Sequence, residues 1–278
     1  MIIVTGASGF IGSNLIKELY NRGERNINAV DYVYREYLKP FNIFYTPAEI
    51  FYENLSGYCK NAAVIFHEGA ISSTTETNTK LLFERNINPT HELIYYCRNN
   101  DIPLQYASSA SVYGNPTIEE WNDPNKKMNP LNEYAKSKKS IDYLFGLMLN
   151  SKRPPKLIQG MRYFNVYGPN EEHKEDQASP YHKFKKQLEE TGKIKLFEGS
   201  KDFYRDFIPV EELIEKKLYC LENKSSGIYD IGTGKPKSFY DVALEVGGSD
   251  DVIEWIPMPS HLEEHYQKYS CAVDCGFQ

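Results

Sequence analysis

Several things are scarce in this chain, and each scarcity removes a class of function. No apolar run approaches the roughly 18 residues a membrane span requires, so no segment is expected to cross a bilayer. Positive charge is not in excess: 32 Lys and Arg stand against 38 Asp and Glu, a formal charge of −6. A general nucleic-acid binder needs the opposite balance for its phosphate contacts, although local cations can still hold a small phosphate. Cysteine is sparse and odd in number, with Cys59, Cys97, Cys220, Cys271 and Cys275 the whole complement. They show no metal-type spacing; Cys271 and Cys275 can share a helical face, which is little support for a metal site. Free thiols in a reducing compartment are the expectation, and no metal is expected. The N-terminus, "MIIVTGASGF", has neither the basic region nor the cleavage site of a signal peptide, so a cytoplasmic location is expected rather than export. Internal repeats and low-complexity tracts are lacking as well.

What is present is an ordinary globular composition, 41% hydrophobic and 25% charged over 278 residues, enough for one large domain and a smaller lobe. "MIIVTG" and "NINAVD" have the look of buried strands. Between them, "FIGSNLIKELYNRG" places Ile11, Leu15, Ile16 and Leu19 on one helical face. The alternation continues through "AAVIFHEGA" (strand), "TKLLFERNINPTHELIYYCRNN" (helix), "IPLQYASS" (strand), "NEYAKSKKSIDYLFGLMLN" (helix) and "KLIQGMRYFNV" (strand). Strands alternating with helices predict an α/β fold, a doubly wound parallel sheet of Rossmann type. After Gly168 the polar "PNEEHKEDQASP" opens a smaller α+β substrate lobe, with a helix near 181–191 and a strand in "IKLFEGS". The expected division is 1–168 plus about 208–240 for the dinucleotide-binding domain, and about 169–207 plus 241–278 for the lobe.

Chemistry first shows in "TGASGFIG". Gly6, Gly9 and Gly12 fall in the turn from first strand to first helix, where missing Cβ atoms let backbone N–H groups and the helix dipole approach a pyrophosphate. The spacing is GxxGxxG, in the strand–turn–helix context a dinucleotide fingerprint requires. At the end of the second strand Asp31 is placed to bond a ribose 2′-hydroxyl, which favours NAD. Arg35 and Lys39 can instead meet the 2′-phosphate of NADP.

In "NEYAKSK", Tyr134 and Lys138 stand four apart on a helix and so share a face. Acting as a base near neutrality, a phenol must be shifted by roughly 4 kcal/mol, and the Lys138 ammonium with a nicotinamide positive charge are the candidate sources. Tyr-x-x-x-Lys is common on solvated helix faces; the upstream strand "YASSASVYG" is what raises it, because Ser109 can there hold a substrate oxygen. His67 follows an apolar strand without a partner at metal spacing, which suits a core histidine. His173 reads as solvated. Arg205, in "YRDF", suits either a diphosphate or an ion pair with Asp206. Most of the 22 tyrosines must serve packing or surface.

Together, "TGASGFIG", "YASSASVYG" and the Tyr134/Lys138 pair resemble the extended short-chain dehydrogenase/reductase superfamily, whose members act on nucleotide sugars. More narrowly, "IFHEGAISSTTE", "MRYFNVYGPNEEHK", "LFEGSKDFYRDF" and "SGIYDIGTG" resemble the ADP-L-glycero-D-manno-heptose 6-epimerase family of lipopolysaccharide core biosynthesis, from residue 1 to about 270. That resemblance implies Ser109, Tyr134 and Lys138 at the catalytic centre, with Lys174 of "EEHK" as a second acid/base. A charged-loop lysine is the alternative reading of Lys174. The resemblance implies NADP at Phe10, Ile11, Asp31, Tyr32, Lys39, Glu68, Gly69, Ala70, Asn86 and Val166, besides the glycines, Tyr134 and Lys138. It assigns the ADP-heptose substrate to Ser109, Asn165, His182, Phe197, Glu198, Gly199, Ser200, Arg205 and Tyr266, and implies a homo-oligomer, a pentamer. Two departures stand out: Tyr32 occupies a position where the family commonly has Asn, and family members continue with further helices where this sequence stops. A nucleotide-sugar 4-epimerase, which needs no Lys174, and a cofactor-binding scaffold without chemistry are the rival readings.

Overall fold

The computed structural model describes residues 1–121, 123, 126–259 and 267–273. The chain divides into two compact units: Met1–Ser109, Asn132–Arg162 and Ile214–Tyr229 form the first, and Ala110–Leu131, Tyr163–Leu213 and Asp230–Gln278 the second. The first unit opens with β1 (Ile2–Thr5), α1 (Phe10–Asn21), β2 (Ile27–Asp31), β3 (Phe44–Pro47), the short helices α2 (Ala48–Glu53) and α3 (Leu55–Cys59), β4 (Val64–His67), α4 (Thr79–Leu82), α5 (Asn88–Asn100) and β5 (Leu104–Ser109). After α6 (Ile118–Trp121) come α7 (Glu133–Leu149) and β6 (Ile158–Tyr163), then β7 (Asn165–Tyr167), α8 (Pro180–Thr191), β8 (Ile194–Phe197), β9 (Tyr204–Arg205) and β10 (Phe207–Pro209). The chain ends with α9 (Val210–Asn223), β11 (Gly227–Ile231), β12 (Lys237–Ser238), α10 (Phe239–Gly247) and β13 (Ile253–Ile256).

Seven strands build the main sheet in the order β11-β6-β5-β4-β1-β2-β3. Strand β1 pairs in parallel with both β2 and β4, so the winding reverses beside it, and the turn after β1 lies where open α/β sheets take ligands. The unbroken apolar run of β1 follows from burial: all four of its residues are buried, as expected of strands covered on both faces. Ile3, Val30, Ile65, Leu104, Ile141 and Phe145 belong to one buried cluster of strand and helix side chains. Two buried glutamines pin α9 to the sheet. Gln105 Nε2 donates to Gln159 Oε1 and the Lys217 carbonyl, each at 2.8 Å, and Gln159 Nε2 donates to the Cys220 carbonyl at 2.8 Å.

In the second unit β7 pairs with β10 and β8 with β13, both in parallel, while β9 and β12 are antiparallel. Phe184, Ile194, Leu196, Phe207 and Val242 form one of its cores. A second cluster crosses the expected boundaries. Tyr113 and Trp121 pack with Phe164 and Ala272, so residues 110–131 belong to the second unit although they follow β5 in sequence. Tyr113 Oη also donates to Asp230 Oδ1 at 2.6 Å, and Lys126 pairs with Asp230 Oδ2 at 3.3 Å. The first unit holds 1–109, 132–162 and 214–229, where the sequence suggested 1–168 and about 208–240. "KLIQGMRYFNV" likewise divides into β6 and β7, with the Phe164 amide between them bonded to the Ile231 carbonyl at 3.2 Å. Among the described residues no helix is long and apolar enough to cross a membrane.

Candidate active site

The glycine turn has the shape its spacing implies. Gly6 takes φ +64°, and a Cβ there would lie 2.6 Å from the Gly69 amide nitrogen. A Cβ on Gly12 would lie 2.1 Å from the Gly6 carbonyl oxygen, so helix and turn touch backbone to backbone. Gly9 caps α1 without a side-chain hydrogen bond, and no acidic residue stands in the first turn, which leaves N–H groups and the positive dipole end available to an anion. The buried Ser8 hydroxyl has no partner among the described residues. Phe10 is buried and Ile11 half-buried at the same helix start. A cradle closed to Cβ atoms, an uncapped twelve-residue helix and an orphaned hydroxyl fit a dinucleotide pyrophosphate. Gly12→Ala is accordingly expected to weaken dinucleotide binding by tenfold or more, an effect of about 1.4 kcal/mol, and to lower the melting temperature, as calorimetry and thermal melts would show.

At the end of β2 both Asp31 oxygens are engaged by the backbone. Oδ2 accepts from the Ser8 amide at 2.8 Å and Oδ1 from the Tyr32 amide at 2.7 Å. Asp31 thus ties the glycine turn to the loop after β2. Arg85 lies over the Tyr32 ring, 3.7 Å from its centroid. The two nearby cations differ sharply: Lys39 is exposed and paired with Glu36 at 2.6 Å, whereas Arg35 Nε is buried without a hydrogen-bond partner among the described residues.

Helix α7 carries the expected pair, Tyr134 and Lys138. Its N-cap Asn132 accepts from the Ala135 amide at 2.8 Å, a bond worth about 1 kcal/mol, which fixes where the helix begins and hence where Tyr134 points. Tyr134 and Lys138 are 8% and 3% exposed. The Ser109 side chain neighbours the phenol. Lys138 Nζ donates to the Ala107 carbonyl at 2.8 Å and stands 6.0 Å from the Tyr134 ring centroid. Burial raises the phenol pKa, against a lowering by the Ser109 side chain. Burial also draws Lys138 down to about 8, with Glu68 and Asp142 pulling the other way. In the chain by itself burial is thus the larger influence on the phenol.

Glu68 faces inward. Its carboxylate, 2% exposed, pairs with Lys217, whose side chain is fully buried. Breaking such a pair costs about 3–5 kcal/mol. The pair anchors the turn whose next residue, Gly69, abuts Gly6, with Ala70 following, half-buried. Asn86 is fully buried: Oδ1 accepts from the Ile71 amide at 2.8 Å, and Nδ2 donates to the Ile71 carbonyl at 3.0 Å and to Ser137 Oγ at 3.2 Å. His67 is buried between Thr5 and Thr90. Cys59, Cys97 and Cys220 are buried free thiols; Cys275 lies outside the described residues.

Lys174, Val166 and the expected substrate residues other than Ser109 belong to the second unit. Asn165 and Val166 lie in β7, where the Asn165 amide bonds the Asp206 carbonyl at 3.0 Å. Phe197, Glu198, Gly199 and Ser200 form a tight turn after β8, closed by the Ser200 amide on the Phe197 carbonyl at 3.0 Å, with Gly199 at φ +85°. Arg205 donates Nη1 to the Tyr204 carbonyl at 2.9 Å and Nη2 to that of Gln267. The carboxylate of Asp206 is taken by the amides of Thr233, Gly234 and Ala272 at 2.7–2.9 Å. His182 lines an open groove of about 970 Å³ with Tyr167, Tyr181 and Glu171. Lys174 and His173 are half-buried in the segment Glu172–Gln177. Tyr266 lies outside the described residues.

Residues 2–232 match the NAD dependent epimerase/dehydratase family. The chain belongs to this family. It is 38% identical, over 98% of its length and 89% of the relative's, to an ADP-L-glycero-D-manno-heptose-6-epimerase of Brachyspira hyodysenteriae. It is 37% identical to one of Alkalilimnicola ehrlichii, over 98% and 88%. The crystal structure of the Helicobacter pylori ADP-L-glycero-D-manno-heptose-6-epimerase superposes with a TM-score of 0.80 at 27% identity, covering 92% of this chain and 84% of that one.

For an NAD dependent epimerase/dehydratase, sequence reading overlooked the buried polar groups behind the reactive ones. Lys217 had a signal. It falls in the apolar stripe Leu213, Ile214, Lys217, Cys220 of α9, where all four residues are almost wholly buried and a lysine must find an internal carboxylate. Ser137 and Thr90 carried no pattern of their own, because each hydroxyl donates to a backbone carbonyl.

Proposed function

We infer that this chain is a nucleotide-sugar epimerase that inverts carbon 6 of ADP-glycero-manno-heptose by oxidation, rotation of the ketone and re-reduction. What carries the reading is the Ser109–Tyr134–Lys138 grouping in a chain 38% identical, over 98% of its length, to a protein named for that activity. The glycine turn, Asp31 and the orphaned Ser8 and Arg35 atoms are the groups to hold a nicotinamide dinucleotide. Such a cofactor, when bound, takes a hydride from a secondary alcohol and returns it to a ketone. Tyr134 takes the hydroxyl proton as the carbonyl forms, Ser109 holds the oxygen, and the Lys138 charge favours the phenolate. Inversion needs a second proton carrier. The ketone must present its other face, so its oxygen points away from the group that served it first, and Lys174 is assigned to the new position. Tyr134 serves one epimer and Lys174 the other. Asn165, His182, the Phe197–Ser200 turn and Arg205 are assigned to the sugar nucleotide, and a homo-oligomer is the assembly carried over with the resemblance.

The cofactor is assigned as NADP, with Arg35 rather than Lys39 reading the 2′-phosphate: Lys39 is exposed and paired with Glu36, while Arg35 Nε is buried with no hydrogen-bond partner among the described residues. A charge-assisted hydrogen bond is worth about 1.5–3 kcal/mol. Arg35→Gln should therefore weaken NADP binding roughly tenfold or more and barely alter NAD binding, whereas Lys39→Gln should alter neither; calorimetry with both dinucleotides decides it. The reaction is tested by incubating pure protein with ADP-heptose of one configuration and following the epimer ratio by carbohydrate NMR. Inversion at carbon 6 supports the reading. Inversion at carbon 4 of a hexose nucleotide alone, or no turnover of any sugar nucleotide, overturns it.

A further inference from the structure

Behind Tyr134 runs a chain of buried hydrogen bonds whose direction is set by proton counting. Thr90 Oγ1 lies 2.6 Å from the Asn86 carbonyl, which can only accept, so the single Thr90 proton is committed there. The His67 Nε2 at 2.9 Å from Thr90 Oγ1 must then be the protonated nitrogen. Nδ1 is left to accept from the Thr5 hydroxyl at 2.6 Å, and Thr5 Oγ1 also accepts from the Gly69 amide at 3.3 Å. Burial, with Lys138 and Lys217 nearby, pushes His67 down to about 3, so the ring is neutral. On the far side, Ser137 Oγ spends its proton on the Tyr134 carbonyl at 2.7 Å and so accepts from Asn86 Nδ2 at 3.2 Å. The protons run in one sense throughout, from Thr5 to His67, Thr90 and Asn86, and on from Asn86 to Ser137 and Tyr134.

Asn86 sits in a π-helical turn, Phe83–Ile87, between α4 and α5. Such turns are irregularities with a local cause and are frequent at functional sites. Here the Thr90 hydroxyl occupies the Asn86 carbonyl from one turn away, and the Asn86 amide reaches Ile71 and Ser137. We propose that His67 is a positioning residue: held between Thr5 and Thr90, it locks the π-turn that presents Asn86, and so keeps the first turn of α7 under Tyr134 in register with the strand end that begins the glycine turn. The role rests on the epimerase reading for its kinetic consequence, not for its geometry.

The experiment compares Thr90→Val, which keeps the shape and removes the hydroxyl, with Thr90→Ser, which restores it. Misplacing a reacting group by an ångström can cost about 100-fold. Thr90→Val should lower kcat for epimerisation by about 10- to 100-fold with KM for the sugar nucleotide within about twofold, and Thr90→Ser should recover most of it. Dinucleotide affinity, measured by calorimetry, should fall about 2- to 10-fold in the valine variant and be regained in the serine variant, the range of one hydrogen bond. In the wild-type protein, long-range ¹H–¹⁵N spectra should show His67 as the Nε2–H tautomer, unchanged down to pH 5. A wild-type protein that fails to invert ADP-heptose would defeat the functional reading alone, since affinity and tautomer still decide the strut. The proposal is overturned by a Thr90→Val protein with wild-type affinity and turnover, by serine and valine variants equally impaired, or by an Nδ1–H or charged His67.

Discussion

Tyr134→Phe should lower kcat for epimerisation by about 10²- to 10⁴-fold, the range for a lost general acid–base group, while dinucleotide affinity stays close to that of the wild type. The substitution removes one oxygen from a ring that is 8% exposed, so packing survives and the loss is chemical. The size of the effect follows from how far the phenol must be driven. Burial raises its pKa, the Ser109 side chain opposes this, and Lys138 is occupied at the Ala107 carbonyl. Charge must reach the site before the phenolate is accessible, and Lys138 is the fixed part of that charge. Because burial brings Lys138 to about 8, its ammonium is lost as pH rises through that value and the phenolate loses its support. kcat/KM, which reports the free enzyme, should therefore decline above about pH 8. A Tyr134→Phe protein retaining a tenth or more of wild-type kcat would remove Tyr134 from the mechanism.

The sheet was legible because its strands are covered on both faces, and β1, β2 and β4 read as short apolar runs between helical periods. The Gly6/Gly12 contact was legible for a related reason: backbone against backbone admits only glycine, so the constraint is written in residue type. Boundaries were less so. Residues 110–131 lie between β5 and α7 in sequence, and nothing local says that Tyr113 and Trp121 bury themselves against Phe164 and Ala272, which are distant along the chain. The effect of burial on Tyr134 was hidden for a different reason. Spacing places Lys138 on its face, but where the ammonium bonds depends on a carbonyl of β5, and how far burial shifts the phenol depends on the whole unit. The π-turn at Phe83–Ile87 was likewise invisible inside an otherwise helical run, because it is held by side chains of β1, β4 and α7.

Lys174→Ala should lower steady-state epimerisation by about 10²- to 10⁴-fold and split the half-reactions: single-turnover oxidation survives for the epimer served by Tyr134 and is lost for the other. A surface lysine would do neither. Lys174 is half-buried, and burial lowers its pKa, with Lys183 adding to the fall and Glu171 opposing it, which brings the amine toward the range where it can both take and give a proton. Its segment is held firmly. Glu171 accepts from the Gly168 amide at 2.9 Å and from the Ser179 amide and hydroxyl at 2.6 and 2.8 Å, and the Lys174 amide bonds the Glu171 carbonyl at 2.8 Å. The next residue, Glu175, takes φ 46° and ψ −118°, a conformation costing a non-glycine about 1–3 kcal/mol. Strain of that kind persists where surrounding bonds over-determine the backbone, and here those bonds belong to the residues flanking Lys174. If Lys174→Ala leaves single-turnover oxidation intact for both epimers, the second proton has another carrier and the segment is structural. If one epimer alone is silenced, the identity of that epimer also tells which alcohol Tyr134 serves.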